Sequence, residues 1–199
     1  MTESYQGRGP FFLPKDYAQK LRKWCTENDA LLIMDEVQAG FGRSGKFFSF
    51  EHYDVVPDFI VCGKGISSSL PISAVIGRKE IMDIYAPGSM TSTHSASPLP
   101  VAAALANLDV LVDEKLTENA AKLGPILKNH LDKLGAKYKT RVGKVLSTGL
   151  VAGMLIVKEG TIEPDGELAL KINEACFQKG LLMFAPVGTG GGCIKIAPP

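Results

Sequence analysis

Short apolar runs that end in charged residues are the feature that most restricts the fold of this chain. Leu31–Met34 is followed by Asp35-Glu36, and Phe59–Cys62 is followed by Gly63-Lys64. A third run covers Ala74–Ile76. Continuous apolar runs of this length, with no polar alternation, are typical of strands that are buried on both faces of a sheet. The chain is therefore predicted to contain a sheet covered on both sides.

A helix is predicted before the first of these strands. Pro14 suits the start of a helix, and Tyr17, Leu21, Trp24 and Cys25 then recur at helical spacing. A helix followed by repeated apolar strands predicts an α/β architecture with a parallel or mixed sheet.

The pattern changes in the second half of the chain. From Pro98 onward, apolar residues recur at helical spacing in two successive segments, and after Gly135 the pattern becomes strand-like. A last helical pattern ends at Gly180, a typical residue for that position. We therefore predict a boundary near residue 135, with one α/β domain in 1–135 and part of a smaller α+β domain in 136–199.

Charge and cysteine content exclude several classes of partner. Lys and Arg total 22 against 21 Asp and Glu, a net charge of +1, so no strong field attracts nucleic acid. The apolar runs are far shorter than a bilayer span. The cysteines form no CxxC pair, which favours reduced thiols over zinc ligands or disulfides. We therefore predict a cytoplasmic protein without a metal, a nucleic-acid partner or membrane association. The four cysteines are Cys25, Cys62, Cys176 and Cys193.

The segment Gly40–Gly45 matches a nucleotide-binding pattern, G-x-G-x-x-G, after a predicted strand. With Lys46 it also approaches the phosphate-binding loop. Both sites need a helix that begins at the glycines, so that its amide groups face the phosphates. Residues 47–54 show no helical period, and Phe47 replaces the hydroxyl residue that would bind magnesium. We interpret the segment as a glycine-rich turn.

Asp35 and Lys64 are better candidates for chemistry, because each follows a strand at the end where open α/β sheets bind ligands. Gly63 and Gly65 leave room beside the lysine for a planar ligand. A partly desolvated lysine is an amine nucleophile that can form a Schiff base with an aldehyde. Taken singly, Asp35 could equally be a helix cap or an ion-pair partner, and Lys64 a surface lysine in a turn.

Together, these residues resemble a known family. The segment Asp35–Lys46 is similar to the signature of the class III aminotransferases, the omega-amino acid type of pyridoxal-phosphate enzyme. The resemblance covers essentially the whole chain and implies the C-terminal half of such an enzyme. The implied fold is α/β, with part of the large domain of a type I pyridoxal-phosphate enzyme and part of its small C-terminal domain. The other matching segments are Pro57-Asp58, Gly63-Lys64-Gly65, Met90–His94, the alanine-rich stretch from Pro98 and Ile196–Pro199.

The resemblance also implies a role for each matching residue. Lys64 would form the Schiff base with pyridoxal 5′-phosphate and then transfer the proton between substrate and cofactor. Asp35 would pair with the pyridine nitrogen, Val37 would contact the ring face, and Gln38 would bind the phenolic oxygen. Thr93 would bind the phosphate held by the neighbouring subunit of a homodimer; the alternative is a loop hydroxyl that binds water.

Two positions depart from the family pattern and concern the substrate. Arg8 stands where a glutamate is common, and Lys195 stands where an arginine often binds the substrate carboxylate. We treat both as candidate substrate-binding residues; alternatively, Arg8 is solvated and Lys195 pairs with a residue of the other half. Ser95–Pro98 also departs from the usual Gly-Asn-Pro ending, which affects how Thr93 is presented.

The implied activity is the transfer of an amino group from an amino acid or omega-amine to a 2-oxo acid. Other outcomes of the same chemistry, decarboxylation or racemisation, stay open. The family's main phosphate-binding loop and the aromatic residue that stacks on the ring belong to the N-terminal half. A non-catalytic fragment is therefore the alternative from a different class.

Overall fold

The computed structural model describes residues 1–9 and 11–199, which form two compact units. The first contains Met1–Ser4, Leu13–Gly42 and Lys46–Thr117. The second contains Tyr5–Phe12, Arg43–Gly45 and Glu118–Pro199. Each unit has its own sheet and its own apolar core.

The first unit is built on a mixed four-stranded sheet. Its strands are β1 (Thr2–Glu3), β2 (Ile33–Asp35), β3 (Phe59–Cys62) and β4 (Ala74–Gly77), paired in that order. The pairs β1–β2 and β2–β3 are parallel, and β4 runs antiparallel to β3. The prediction of a parallel or mixed sheet is therefore confirmed. Because β2 and β3 are parallel, both end at the same edge.

Helix α1 (Lys15–Glu27) covers this sheet, as the sequence predicts, but only part of its apolar pattern is buried. Tyr17 and Trp24 are 51% and 56% exposed, whereas Ala18 and Cys25 are buried. Residues 18, 21 and 25 follow helical spacing on the inward face, and the two aromatic residues lie on the stripe beside it. The core that α1 closes contains Ala18, Cys25, Leu32, Met34, Tyr53 and Val55.

Two further helices complete the first unit. The short helix α2 (Lys79–Met82) follows β4. Helix α3 (Pro98–Asp113) begins with a proline in its first turn, where the missing N–H has no partner to lose.

The second unit has an antiparallel sheet of three strands with helices packed against it. Helix α4 (Leu116–Lys137) is followed by β5 (Val142–Thr148) and β6 (Val151–Ile156), then by α5 (Gly166–Gln178) and β7 (Cys193–Ile196). The sheet order is β5-β6-β7. Among the helices of residues 1–9 and 11–199, none is both long and apolar enough to cross a membrane.

The compact units divide between Thr117 and Glu118, in the first turn of α4, and not near residue 135. The reason is that Leu131 of α4 is buried in a cluster with Met154 of β6 and Ile194 of β7, so the helix packs with the sheet that follows it. A compact unit of the structure need not have the same boundaries as a domain of the family. The division into domains 1–135 and 136–199 stays a prediction.

Asp58 joins three parts of the first unit just before β3. Its carboxylate is 7% exposed and accepts hydrogen bonds from the backbone N–H of Leu32 at 2.7 Å and from Arg22 Nη1 at 2.6 Å. Arg78, which follows β4, pairs with the other oxygen at 2.9 Å. Burial would raise the pKa of Asp58, but these partners outweigh it and hold the pKa below the ordinary 3.8. The ionised carboxylate therefore stabilises the fold.

We predict that Asp58→Asn lowers the free energy of unfolding at pH 7 by about 2 kcal/mol, because Arg22 loses its charged partner. The pKa is lowered, so this stabilisation is present above pH 3.8 and is lost as the pH falls through the folded-state pKa. The difference in the free energy of unfolding between wild type and variant should shrink as the pH falls through that range. Urea unfolding at a series of pH values measures it.

The matched control is Asp83→Asn, which removes an exposed ion pair with Lys79 and should cost less than about 0.5 kcal/mol. Equal stability of the two variants at pH 7 would show that Asp58 does not anchor the fold.

Candidate functional site

The candidate site lies at the edge of the first sheet where β2 and β3 both end. Asp35 is the last residue of β2 and pairs in register with Val61 of β3. Lys64 follows β3 after Gly63, and its side chain is exposed. The structure therefore places the predicted acid and the predicted amine at one edge, on neighbouring strands.

The glycines beside Lys64 are required by the loop that follows β2. A Cβ atom on Gly63 would lie 3.3 Å from Cγ1 of Val37, and one on Gly65 would lie 3.3 Å from Cβ of Phe41. Side chains on both glycines would therefore push this loop away. Val37, expected beside the cofactor ring, lies next to the backbone of the lysine loop. The glycines were predicted to leave room for a ligand. In the structure, Val37 and Phe41 of the protein itself lie close to them.

The backbone of Lys64 adopts an unusual conformation. Its φ is +41°, in the left-handed region that costs an ordinary residue about 1 kcal/mol. Lys64 begins a single 3₁₀ turn, Lys64–Ile66, in which the N–H of Ile66 donates to Gly63 O at 3.1 Å. One local hydrogen bond is weak support for such a turn. The lysine is thus held in a strained loop, a feature that is common at functional sites.

Asn107 of α3 supports this loop, although it was not among the residues predicted from sequence. Its side-chain amide donates to Gly65 O at 2.8 Å and to Ile66 O at 3.2 Å. Its oxygen accepts from the Ser68 hydroxyl at 2.6 Å. An asparagine inside an alanine-rich and leucine-rich helix was the available signal, because such a residue lowers helix propensity unless it has another purpose.

The backbone orients Asp35. One carboxylate oxygen accepts the N–H of Val37 at 3.0 Å, and the residue is half-buried. Gln38 follows in the same turn and is also half-buried. Thr93 is exposed, in a loop where the N–H of Ser95 donates to Ser92 O at 3.1 Å. The structure places the predicted cofactor-binding residues in the first unit.

Glu36 has a different role from its neighbour, because successive residues of a strand point to opposite faces. It is fully buried and accepts the backbone N–H groups of Ser49 at 2.8 Å and Phe50 at 3.0 Å, as well as the Ser4 hydroxyl. Burial raises the pKa of Glu36, and the three hydrogen bonds oppose that shift. The hydroxyl of Tyr53 donates a further hydrogen bond to Ser4 O at 2.5 Å. Glu36 therefore ties the chain start and residues 49–50 to the strand that carries Asp35.

The glycine-rich segment is a turn, as predicted. Residues 38–44 are turns, and the next helical element is the 3₁₀ helix Ser49–Tyr53. Phe41 has φ +62° and packs edge-on against Phe47 and Phe48, with ring centroids 5.7 and 5.8 Å away. No helix begins at these glycines, so the geometry of a nucleotide loop is absent there.

Arg8 and Lys195, the candidate substrate residues, belong to the second unit. Lys195 is 4% exposed, and its ammonium donates to Gly7 O at 3.3 Å and lies 5.7 Å from the centroid of the Tyr5 ring. Arg8 is exposed and lines a small pocket with Gln6 and Thr189. The buried ammonium thus contacts the residue that precedes Arg8.

Comparison with known proteins gives a consistent set of relatives. The family described as Aminotransferase class-III matches residues 1–199. A probable 4-aminobutyrate aminotransferase of Bacillus subtilis is 38% identical, over 100% of this chain and 46% of the relative. An alanine/serine racemase of Pyrococcus horikoshii is 41% identical, over 94% of this chain and 38% of the relative.

Solved structures similar to this chain include aminotransferases as well. The acetylornithine aminotransferase of Elizabethkingia anophelis matches with a TM-score of 0.88 at 36% identity, over 99% of this chain and 48% of that chain. The chain thus spans less than half the length of each of these three relatives.

We predict that Glu36→Gln lowers the free energy of unfolding by about 2 kcal/mol, because an amide NH₂ would face a backbone N–H donor. The pKa of Glu36 is raised, so its pH-dependent stabilisation is complete below pH 4.5 and is lost as the pH rises through the folded-state pKa. Glutamine does not titrate. The gap between wild type and variant should therefore narrow on going from pH 5 to pH 8.

Denaturant unfolding at both pH values measures this gap, with the exposed Glu114→Gln as control. A Glu36→Gln protein that is as stable as Glu114→Gln would contradict the anchoring role.

Proposed function

Because the chain belongs to the class III aminotransferases and its structure is part of the fold of solved transaminases, we propose an amino-transfer function. The protein would move an amino group from an amino acid or omega-amine to a 2-oxo acid, with pyridoxal 5′-phosphate as cofactor. The observation that supports this most is Lys64, held between two glycines at the sheet edge where Asp35 ends the neighbouring strand. The name of the Bacillus subtilis relative, a probable 4-aminobutyrate aminotransferase, supports the same reaction. Racemisation, the activity in the name of the Pyrococcus horikoshii relative, is the alternative outcome.

The residues at this edge fit the cofactor. When bound, pyridoxal phosphate supplies an aldehyde that reacts with amines and a ring that withdraws electrons from the substrate carbon. Lys64 would hold the cofactor through its amine at the aldehyde carbon and would carry the proton of the substrate carbon. Asp35 would keep a proton on the ring nitrogen, since a nearby carboxylate favours the charged form. Val37 would contact the ring face, and Gln38 would bind the phenolic oxygen.

The remaining predicted residues concern the partner subunit and the substrate. We propose a homodimer in which the exposed Thr93 binds the phosphate held by the neighbouring subunit. Lys195 and Arg8 would serve substrates that carry a carboxylate, because both side chains are cationic and the buried ammonium of Lys195 contacts Gly7 O, next to Arg8. All four cysteines carry free thiols, which supports a reducing compartment, the cytoplasm.

The test of this function is the site of covalent attachment. The protein is incubated with pyridoxal 5′-phosphate, reduced with borohydride and mapped by mass spectrometry. We expect the pyridoxyl group on Lys64, and we expect Lys64→Ala to lose it. Lys46→Ala is the matched control, because Lys46 is also exposed and also follows a glycine.

Labelling mainly on Lys46 or Lys144 would exclude Lys64 as the cofactor lysine. A protein that carries no adduct at all would instead be the non-catalytic fragment.

We also predict that Asp35→Asn slows conversion of the amino donor to its 2-oxo acid by about 100-fold, because the ring nitrogen loses the charge that keeps it protonated. Cofactor affinity should change much less. Single-turnover absorbance gives the rate, and detection of the 2-oxo acid distinguishes transfer from racemisation. Asp29→Asn, at an exposed turn residue, is the control, and equal rates in the two variants would make Asp35 structural.

A further inference from the structure

The loop that carries Lys64 needs support from outside its own sequence. Lys64 and Ser68 both have positive φ values, +41° and +60°, although neither is glycine. Each such residue costs about 1 kcal/mol or more and persists only where its surroundings enforce it. The turn closes with one backbone bond, from the N–H of Ile66 to Gly63 O. Gly65 O and Ile66 O lie at its end and need donors from elsewhere.

Asn107 supplies those donors, and both polar groups of its side chain form hydrogen bonds. Both hydrogens of its NH₂ group are used, one on Gly65 O and one on Ile66 O. Its oxygen accepts from Ser68 Oγ. The opposite orientation of the amide would set its oxygen against two carbonyl oxygens, so the partners determine which way it points.

These contacts hold the segment between the two strained residues. The bonds to Gly65 O and Ile66 O fix the Gly65–Ile66 and Ile66–Ser67 peptides, which follow Lys64 closely. The bond from Ser68 Oγ fixes the side chain of the second residue with positive φ. Since α3 spans Pro98–Asp113 and Asn107 lies more than one turn from each end, the helix provides a rigid base for the amide.

We propose that Asn107 is a positioning residue that holds the backbone of Lys64 in its left-handed conformation and so presents Nζ to the cofactor. This inference rests on the proposed function, because it assigns the support of the lysine that binds pyridoxal phosphate. Asn107 itself acts only through the loop. Its loss therefore affects the reactivity of Lys64 more than the stability of the fold.

The experiment compares Asn107→Asp, Asn107→Leu and Ser68→Ala with wild type. Aspartate keeps the acceptor for Ser68 and removes both donors, and leucine removes donors and acceptor without adding charge. Asn129→Asp is the control, an exposed asparagine within α4. Each protein is treated with pyridoxal 5′-phosphate and borohydride, and the pyridoxyl label on Lys64 is measured relative to Lys46 in the same molecule.

We expect wild type and Asn129→Asp to label Lys64 preferentially. Both Asn107 variants should lower the Lys64-to-Lys46 ratio by about tenfold, the effect of losing hydrogen bonds that hold the loop. Ser68→Ala should lower it by a smaller factor. Amide exchange should rise at residues 64–68 in the Asn107 variants, while their melting temperatures stay close to that of Asn129→Asp.

Three results would overturn the inference in different ways. Asn107 variants that keep the wild-type labelling ratio would exclude positioning by Asn107 and leave the proposed function intact. A wild-type protein with no preference for Lys64 would refute the proposed function, and this inference with it. A general loss of melting temperature with equal loss of label on both lysines would make Asn107 merely structural. Ser68→Ala, at an exposed position, tests the same contact if an Asn107 variant does not fold.

Discussion

The parallel pairing of β2 with β3 is the constraint on which the site depends. Asp35 faces Val61 across that pair, so both strands end at the same edge, and the loops that leave them must share one small region. The loop after β2 packs on Gly63 and Gly65, and Lys64 is held between these contacts. If β3 ran in the opposite direction, the acid and the amine would leave the sheet at opposite ends. The chemistry therefore follows from strand direction before any side chain is considered.

Strand alternation then separates two adjacent acids. Asp35 lies at the open edge, whereas Glu36 is buried and binds backbone N–H groups from residues 49 and 50. A buried carboxylate is tolerated only when donors surround it, and a loop that donates to it is fixed in turn. The carboxyl group of Asp35, which lies at the site, and the carboxyl group of Glu36, which anchors the neighbouring loop, are thus one residue apart. A single insertion in β2 would exchange their directions and disrupt both functions.

Much of this arrangement was predictable from local pattern, and the rest was not, for a physical reason. The strand Phe59–Cys62 and the helix after Pro14 follow from apolar runs and helical spacing, which are properties of neighbouring residues. The apolar spacing of α1 did not identify its buried face, because Tyr17 and Trp24 fit the spacing but are exposed. Asn107 was missed because its partners lie about 40 residues away in sequence. Periodicity carries no information about such long-range hydrogen bonds.

Some of the places where local rules fail lie in the candidate site. A lysine and a serine in left-handed conformations, and an asparagine within an apolar helix, each cost free energy when considered alone. In the folded protein Asn107 binds Ser68 and the carbonyl groups of Gly65 and Ile66, just after Lys64, so part of this cost is offset. Sequences rarely keep such conflicts without a compensating role. The proposed role of Asn107 would therefore explain both the strain at Lys64 and the polar residue in α3 as parts of the presentation of one amine at the sheet edge.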